Sequence, residues 1–407
     1  SFYNRARLLQ INKVEPEELQ DKFALKAQNC RFENEPGTVI KREPTYYFNT
    51  SSIGSTPIVG LYRYYTSGGT TKFVCVSGTG VYVGDDATGT FTLIRTLTST
   101  GKRMKFVTYQ DILIGGNGFD NLFCYDGSDD NLTWELGSCK AKVAAGVGLI
   151  TRTNISYQVT MDDDWYVCGA ISNEIASVTA QNIDLTHIPL GPVGTVNRKI
   201  YRKSSETGGI YKLVHTIADN VTTTWTDNVA DASTGANIAD ITDDMPKGAE
   251  LQINRERLFV SRDPVYPNRI YYSDVYCPGY IQKDTQLTYL DISPEDNDEI
   301  MGIPMSLGVM LCVKKNTIRK LFIQGVTGNW YAEDPFSFSG SPAAWSITQT
   351  PYGIIYLGWD HWYLYDGSNA KEIIDQFDTF DMLAANYYDV VGHWDNTEFL
   401  AAYTDGE

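Results

Sequence analysis

Two short aromatic strands, far apart in the chain, run into the same dipeptide: Asn121-Leu-Phe-Cys-Tyr-Asp-Gly127 and Trp362-Tyr-Leu-Tyr-Asp-Gly367. A third near-copy, Tyr403-Thr-Asp-Gly406, stands near the last residue. Asp-Gly suits the tight turn of a hairpin, because glycine supplies positive φ without strain and aspartate tolerates it. One hairpin edge recurring at such distances predicts a radially repeated β-architecture. Asp126, Gly127, Asp366 and Gly367 are accordingly read as structural turns.

The spacing of apolar runs agrees. From Arg31 to about residue 140, short runs follow one another: Val39-Ile40, Ile58–Tyr65, Lys72–Ser77, Gly80–Val83, Phe91–Ile94, Met104–Thr108 and Asp111–Ile114. Intervals of about 8–12 residues are the mark of an all-β chain. The 27 tyrosines and 35 glycines fit strands and turns. One helix is predicted, over Glu15–Ala27, with Pro16 in its first turn and acidic neighbours at the positive end of its dipole.

The texture changes near residue 145. Ile155–Met161 alternates cleanly, Asp162–Asp164 makes a turn, and Trp165–Cys168 returns. Ile175–Thr179, Ile183–Thr186, Arg198–Arg202, Tyr211–Ile217 and Thr222–Asp227 follow. Seven strands with one apolar face have the layout of a β-sandwich. The expected organisation is a first propeller part over 1–145, an inserted fibronectin-III-like or immunoglobulin-like sandwich over 146–242, and a second propeller part over 243–407. The flanking parts hold six to eight blades at about 40–50 residues each.

The formal charge of −17, from 50 acidic and 33 basic residues, argues against a sequence-reading nucleic-acid binder, which needs a basic face. An acidic surface suits solubility, or a channel that keeps nucleic acid from sticking. The cysteines, Cys30, Cys75, Cys124, Cys139, Cys168, Cys277 and Cys312, are scattered and never spaced Cys-x-x-Cys, so neither a zinc site nor a disulfide framework is expected. No apolar run is long enough to span a membrane, and no leader is seen, which points to maturation in a reducing cytoplasm.

Motifs for chemistry are sparse. Gly115-Gly-Asn-Gly118 lacks the Lys-Ser/Thr of a phosphate loop. Ser128-Asp-Asp130 followed by Trp134 departs from a sialidase-type box, with Leu132 where glycine is required, and reads as a turn with a packed tryptophan. Asp360 and His361 lie between Trp359 and Trp362, but neighbours on a strand point to opposite faces and do not pair. Asp291–Glu299 concentrates oxygen ligands, with Asp296, Asp298 and Glu299 as candidate cation ligands, yet lacks the glycine and full spacing of a calcium loop. Trp330, Tyr331 and Trp345, beside Gly/Ser/Pro loops, are candidate subunit-interface residues. No catalytic residue and no cofactor is assigned.

Three stretches carry a family resemblance: Ala27–Arg42, with its turn Gly37 and Lys41-Arg42 pair; Ile200-Tyr-Arg-Lys203 with Tyr211–Ile217 and Thr224-Trp-Thr-Asp227; and Leu311–Phe322 with Gly353–Gly367. Together they resemble the β-propeller tail proteins of tailed bacteriophages, the nozzle or tail-accessory proteins of short-tailed phages. The resemblance implies a non-enzymatic virion structural protein. Copies of the chain, usually six, would form a homo-oligomeric ring in the tail. That ring would lie below the portal and adaptor, beside distal tail proteins or fibres, and extend the channel through which DNA leaves. The alternative from another class is a carbohydrate-binding or carbohydrate-cleaving propeller acting on surface glycans.

Overall fold

The computed structural model describes residues 30–32, 39–41, 49, 52–54, 56–85, 88–161, 166–167, 170–239, 245–281, 288–374, 387, 389–396 and 399–402. The helix expected over Glu15–Ala27 and the Tyr403–Gly406 turn lie outside them. So do the Asp162–Asp164 turn, Trp165, Cys168 and most of Ala27–Arg42. The chain divides into two compact units, one of residues 49–294 and one of 295–407 grouped with 1–48.

The described chain is all-β, and its repeating element is a four-stranded antiparallel meander, the kind of sheet a propeller uses as a blade. The first unit holds three. Sheet A runs Ile58–Tyr65, Thr71–Ser77, Gly80–Gly84, Phe91–Thr96, and sheet B runs Lys105–Tyr109, Ile112–Gly116, Phe123–Tyr125, Thr133–Glu135. Sheet C runs Glu250–Asn254, Arg257–Ser261, Arg269–Tyr272, Tyr289–Asp291. Their first strands are neighbours. Tyr62 of A reaches Thr108 of B at 3.0 Å between hydroxyls, and Lys105 of B lies 3.2 Å from the carboxylate of Glu250 of C.

Sheet B explains why its strands read as nearly unbroken apolar runs. Phe123, Tyr125 and Leu113 point into a core shared with Tyr64, Val74, Val76 and Val81 of sheet A. Leu122, Cys124 and Ile114, their alternates, point into a second core with Leu251, Leu258 and Val260 of sheet C. Side chains alternate across a strand, so a sheet packed on both faces must be apolar at every position. Each large apolar side chain so buried contributes roughly 1.5–3 kcal/mol.

Between sheets B and C the chain makes a different body. A three-stranded sheet (Lys140–Val143, Ile183–Thr186, Trp225–Asp227) and a five-stranded one (Ile150–Met161, Tyr166–Val167, Ile175–Gln181, Arg198–Lys203, Lys212–Ile217) share one core. Ala141, Ile183 and Leu185 enter it from the first sheet, and Ile155, Tyr157, Val159 and Ile200 from the second. His215 and Trp225 stack across the two sheets, their rings 4.4 Å apart. The long strand Ile150–Met161 serves two cores: Met161, at its end, lies in the one between sheets B and C.

The second unit repeats the blade logic. Sheet D orders Ile300–Gly302, Val309–Lys314, Ile318–Phe322 and Tyr331–Ala332, with Met305–Ser306 also paired to Val309–Lys314. Sheet E runs Thr348–Thr350, Gly353–Leu357, Trp362–Tyr365, Ala370–Ile374. Ile354, Tyr356, Tyr363 and Tyr365 of E face Leu311, Val313 and Ile318 of D. Their alternates Ile355, Leu357, Trp362 and Leu364 face Tyr387, Val390 and Phe399, which precede or belong to the hairpin Val391–Trp394/Phe399–Ala402. A further hairpin pairs Cys30–Phe32 with Val39–Lys41.

Candidate functional site

The two Tyr-Asp-Gly segments occupy one topological position, the exit of the third strand of a doubly packed sheet. Their chemistry also matches. Ser128 N–H donates to Asp126 Oδ1 at 3.1 Å, and Ser368 N–H donates to Asp366 Oδ1 at 3.1 Å. The serine hydroxyls donate to the same oxygens, at 2.6 and 2.8 Å. Tyr125 and Tyr365 hydroxyls cap the loops on the carbonyls of Ser128 and Gly367. Gly127 and Gly367 have φ of 77° and 98°, whereas neither aspartate takes positive φ. The two-residue hairpin expected from Asp-Gly is thus corrected. Each aspartate accepts backbone and hydroxyl hydrogen bonds two residues on, an Asx-turn that leaves the left-handed residue to glycine alone.

Positive φ calls for glycine at both positions, and Gly127 meets a second constraint. A Cβ on Gly127 would lie 2.8 Å from Tyr64 of sheet A, and one on Gly367 would lie 2.8 Å from Leu307 of sheet D. The buried Tyr64 ring fills that space at Gly127, whereas the exposed Leu307 side chain can move aside at Gly367.

The turns differ in the cation that answers the aspartate. Lys371 of the same sheet reaches Asp366 Oδ2 at 2.5 Å on the surface. Asp126 is met by Lys140, the first residue of the two-sheet body, at 2.7 Å. Lys140 is buried and also contacts Asp130 Oδ1 at 2.8 Å and Ser128 Oγ at 2.6 Å. Burial opposes ionisation of Asp126 and Asp130, yet hydrogen bonds from Lys140 and Ser128 hold both below the ordinary carboxylate value. Beside this clamp, His187 stacks on Trp134 of sheet B with rings 4.8 Å apart, and burial pushes the imidazole's pKa down. Cys277 Sγ of the sheet C region donates to Gly191 O at 3.0 Å. The two-sheet body is therefore fastened to sheets B and C at several separate points.

Within that body two arginines are buried. Arg198 donates to the carbonyls of Pro189, Asp219 and Thr222 and to Asp219 Oδ1. Arg202 donates to Asp227 Oδ2 at 2.6 Å, Asp231 Oδ1 at 2.7 Å and Val229 O at 2.9 Å. Tyr157 hydroxyl adds a bond to Asp227 Oδ2 at 2.8 Å, and Arg152 pairs with Asp231. Both arginines sit on the strand Arg198–Lys203, whose pattern gave no sign that its basic residues turn inward.

Another buried carboxylate staples the loops of sheets A and B. Asp120 accepts from Thr98 N–H at 2.7 Å, Asn117 Nδ2 at 2.8 Å, and the Thr98 and Ser99 hydroxyls. Burial works against its charge, but these donors outweigh it and bring its pKa down to about 2. Its folded pKa lies below the unfolded value of about 4. The stabilisation is therefore present above pH 4 and lost as pH falls through 2. An Asp120→Asn variant is expected to flatten the acid limb of urea-unfolding stability measured from pH 6 to pH 2. An unchanged acid limb would show that this carboxylate does not contribute.

Of the candidate cation ligands, Asp296 and Asp298 are engaged by neighbouring side chains and backbone. Asp296 takes Lys314 Nζ on both oxygens, at 2.6 and 2.8 Å. Asp298 accepts from Asn316 N–H at 2.9 Å and Thr317 Oγ1 at 2.9 Å, and the Glu299 carbonyl accepts from Lys315 N–H. Among the described residues no three His, Cys, Asp or Glu side chains come together as a metal would need. Trp330 is buried and Trp345 half-buried, whereas Tyr331 is 51% exposed and stacks on Phe322. Phe322, Tyr331's stacking partner, is itself 38% exposed, and Phe338 and Val326 are exposed elsewhere in the same region of the chain. Asp360 and His361 do meet, at 3.4 Å, with Glu372 3.8 Å from the same nitrogen. The expectation that they diverge is corrected, because residues 358–361 form the bend before Trp362–Tyr365 and not part of the strand.

No protein-family model matches the chain, and no curated protein matches it. Among solved structures it is similar to the β-propeller domain of Myceliophteria thermophila Cps50 (Swd1), at 11% identity and TM-score 0.35, over 88% of this chain and 96% of that one. A chain of a mitotic checkpoint complex matches at 8% identity and TM-score 0.22, over 86% of this chain and 96% of that one. One of a nidogen/laminin complex matches at 10% identity and TM-score 0.20, over 70% of this chain and 81% of that one. At those scores the likenesses carry nothing further.

Proposed function

We propose that this chain is a structural tail protein of the nozzle kind, whose four-stranded sheets close into a propeller. In this reading the two-sheet body is a fibronectin-III-like or immunoglobulin-like sandwich inserted between two blades. Copies of the chain form a ring, six in the tail proteins it resembles, that continues the DNA channel below the portal and adaptor. The observation that carries assembly is on sheet D, where Tyr331 and Phe322 stack on each other with both rings partly exposed. Aromatic side chains left exposed together are characteristic of contact surfaces.

Charge supports the passage of DNA without capture. With a net −17, the ring's surface repels phosphates and offers no counterion-releasing grip. Rigidity supports the same reading, since the buried Lys140 clamp holds the inserted body against sheet B. Native mass spectrometry and negative-stain imaging of the full chain are expected to show a closed ring with an open channel. A monomer at every concentration and salt tested would overturn the reading.

A further inference from the structure

We propose that Trp359 is the platform of a saccharide-binding site on the second unit. Trp359 lies in the bend between Gly353–Leu357 and Trp362–Tyr365, and 43% of it is exposed, while Trp362, three residues on, is buried. This indole is not loose. Its Nε1–H donates to Asn316 Oδ1 at 2.9 Å, and its own carbonyl accepts from Tyr387 hydroxyl at 2.7 Å. Tyr387 also meets it edge-on, with ring centroids 5.4 Å apart. Three contacts thus hold an apolar plane in water in a fixed orientation.

Over the ring, and in the residues that follow it, are groups that bind hydroxyls. Lys315 Nζ stands 5.5 Å from the ring centroid. His361 follows the tryptophan by two residues, flanked by the partly exposed carboxylates of Asp360 and Glu372. Tyr363 hydroxyl, donating to Asp360 Oδ1 at 2.9 Å, fixes the first of these carboxylates. A pyranose ring has an apolar face of C–H groups and a rim of hydroxyls. Its face covers an aromatic plane, and its rim of hydroxyls suits carboxylate, ammonium and imidazole groups. Holding the groups in place beforehand removes part of the ordering cost of binding. The ligand class is accordingly a hexopyranose unit.

The test uses the full chain and named probes: the methyl glycosides of glucose, galactose and N-acetylglucosamine, with maltotriose and chitotriose as longer forms. At least one is expected to quench tryptophan fluorescence saturably, with millimolar affinity confirmed by calorimetry. Trp359→Ala is expected to weaken that binding at least tenfold, Trp359→Phe to retain part of it, and Phe338→Ser to leave it unchanged. Unfolding midpoints of the variants separate lost binding from lost folding, and Trp359→Phe supplies the comparison if the alanine variant does not fold. No saturable binding of any probe, or binding indifferent to Trp359→Phe and Trp359→Ala, overturns the proposal. None of these readouts depends on ring formation, so failure here leaves the tail reading standing.

Discussion

Replacing Lys140 with alanine is expected to destabilise the first unit by about 3–5 kcal/mol at pH 7, the range for removing one partner of a buried ion pair. The ammonium is buried and bridges Asp126 and Asp130, both of them largely buried themselves. Without it, the two carboxylates keep the Ser128 donors and, among charged groups, the exposed Lys142, 3.3 Å from Asp130. Asp126 and Asp130 are both held below the ordinary carboxylate value in the folded state. Their contribution is present above the unfolded value of about 4 and lost as pH falls through the folded values. The difference between wild type and variant should therefore be full at pH 7 and shrink below pH 4. Urea unfolding of both proteins at pH 7 and at pH 2 measures this. The equivalent Lys371→Ala, at an exposed pair, is expected to leave the unfolding midpoint unchanged. Equal effects from the two lysines would refute burial as the source of the difference.

The second large effect is expected at Arg202. Arg202→Ala strands Asp227, fully buried, with only Tyr157 hydroxyl and Val229 N–H as partners. A loss of about 3–5 kcal/mol follows from the uncompensated charge. The paired change Arg202→Met with Asp227→Leu should recover part of it, because an apolar pair of similar volume avoids the stranded carboxylate, while Tyr157 hydroxyl and Val229 O lose their partners. Thermal and chemical unfolding of the single and double variants form the cycle. If the double variant is as unstable as the single one, packing, and not the stranded carboxylate, sets the cost. The site is also a test of coupling between bodies. Tyr157, on the strand Ile150–Met161, joins Asp227 to a strand whose end, Met161, lies in the core between sheets B and C.

Much of the fold was legible from the pattern of residues. Ile58–Tyr65 and Ile183–Thr186 stand as strands at the bounds expected. The strands that escaped notice, such as Tyr289–Asp291 and Tyr331–Ala332, are short last strands of their meanders, partly or largely exposed. An edge strand buries little and so leaves little periodic signal. The site residues were harder to read. Trp330 and Tyr331 are adjacent and equally aromatic, yet one is buried and one exposed. Trp359 and Trp362 divide the same way.

By itself the sequence determined that the chain is all-β, where its main strands run, and that Asp126-Gly127 and Asp366-Gly367 mark one repeated turn. Those properties are local: alternation every second residue and glycine's freedom at positive φ are visible within a few positions. The tertiary structure alone decided that the same aspartate is met at one turn by an exposed lysine of its own sheet and at the other by the buried Lys140 of a separate body. Nothing local distinguishes the two lysines. What separates a surface pair from a buried clamp is the solvent that neighbouring sheets exclude, and that exclusion exists only once distant segments have packed together.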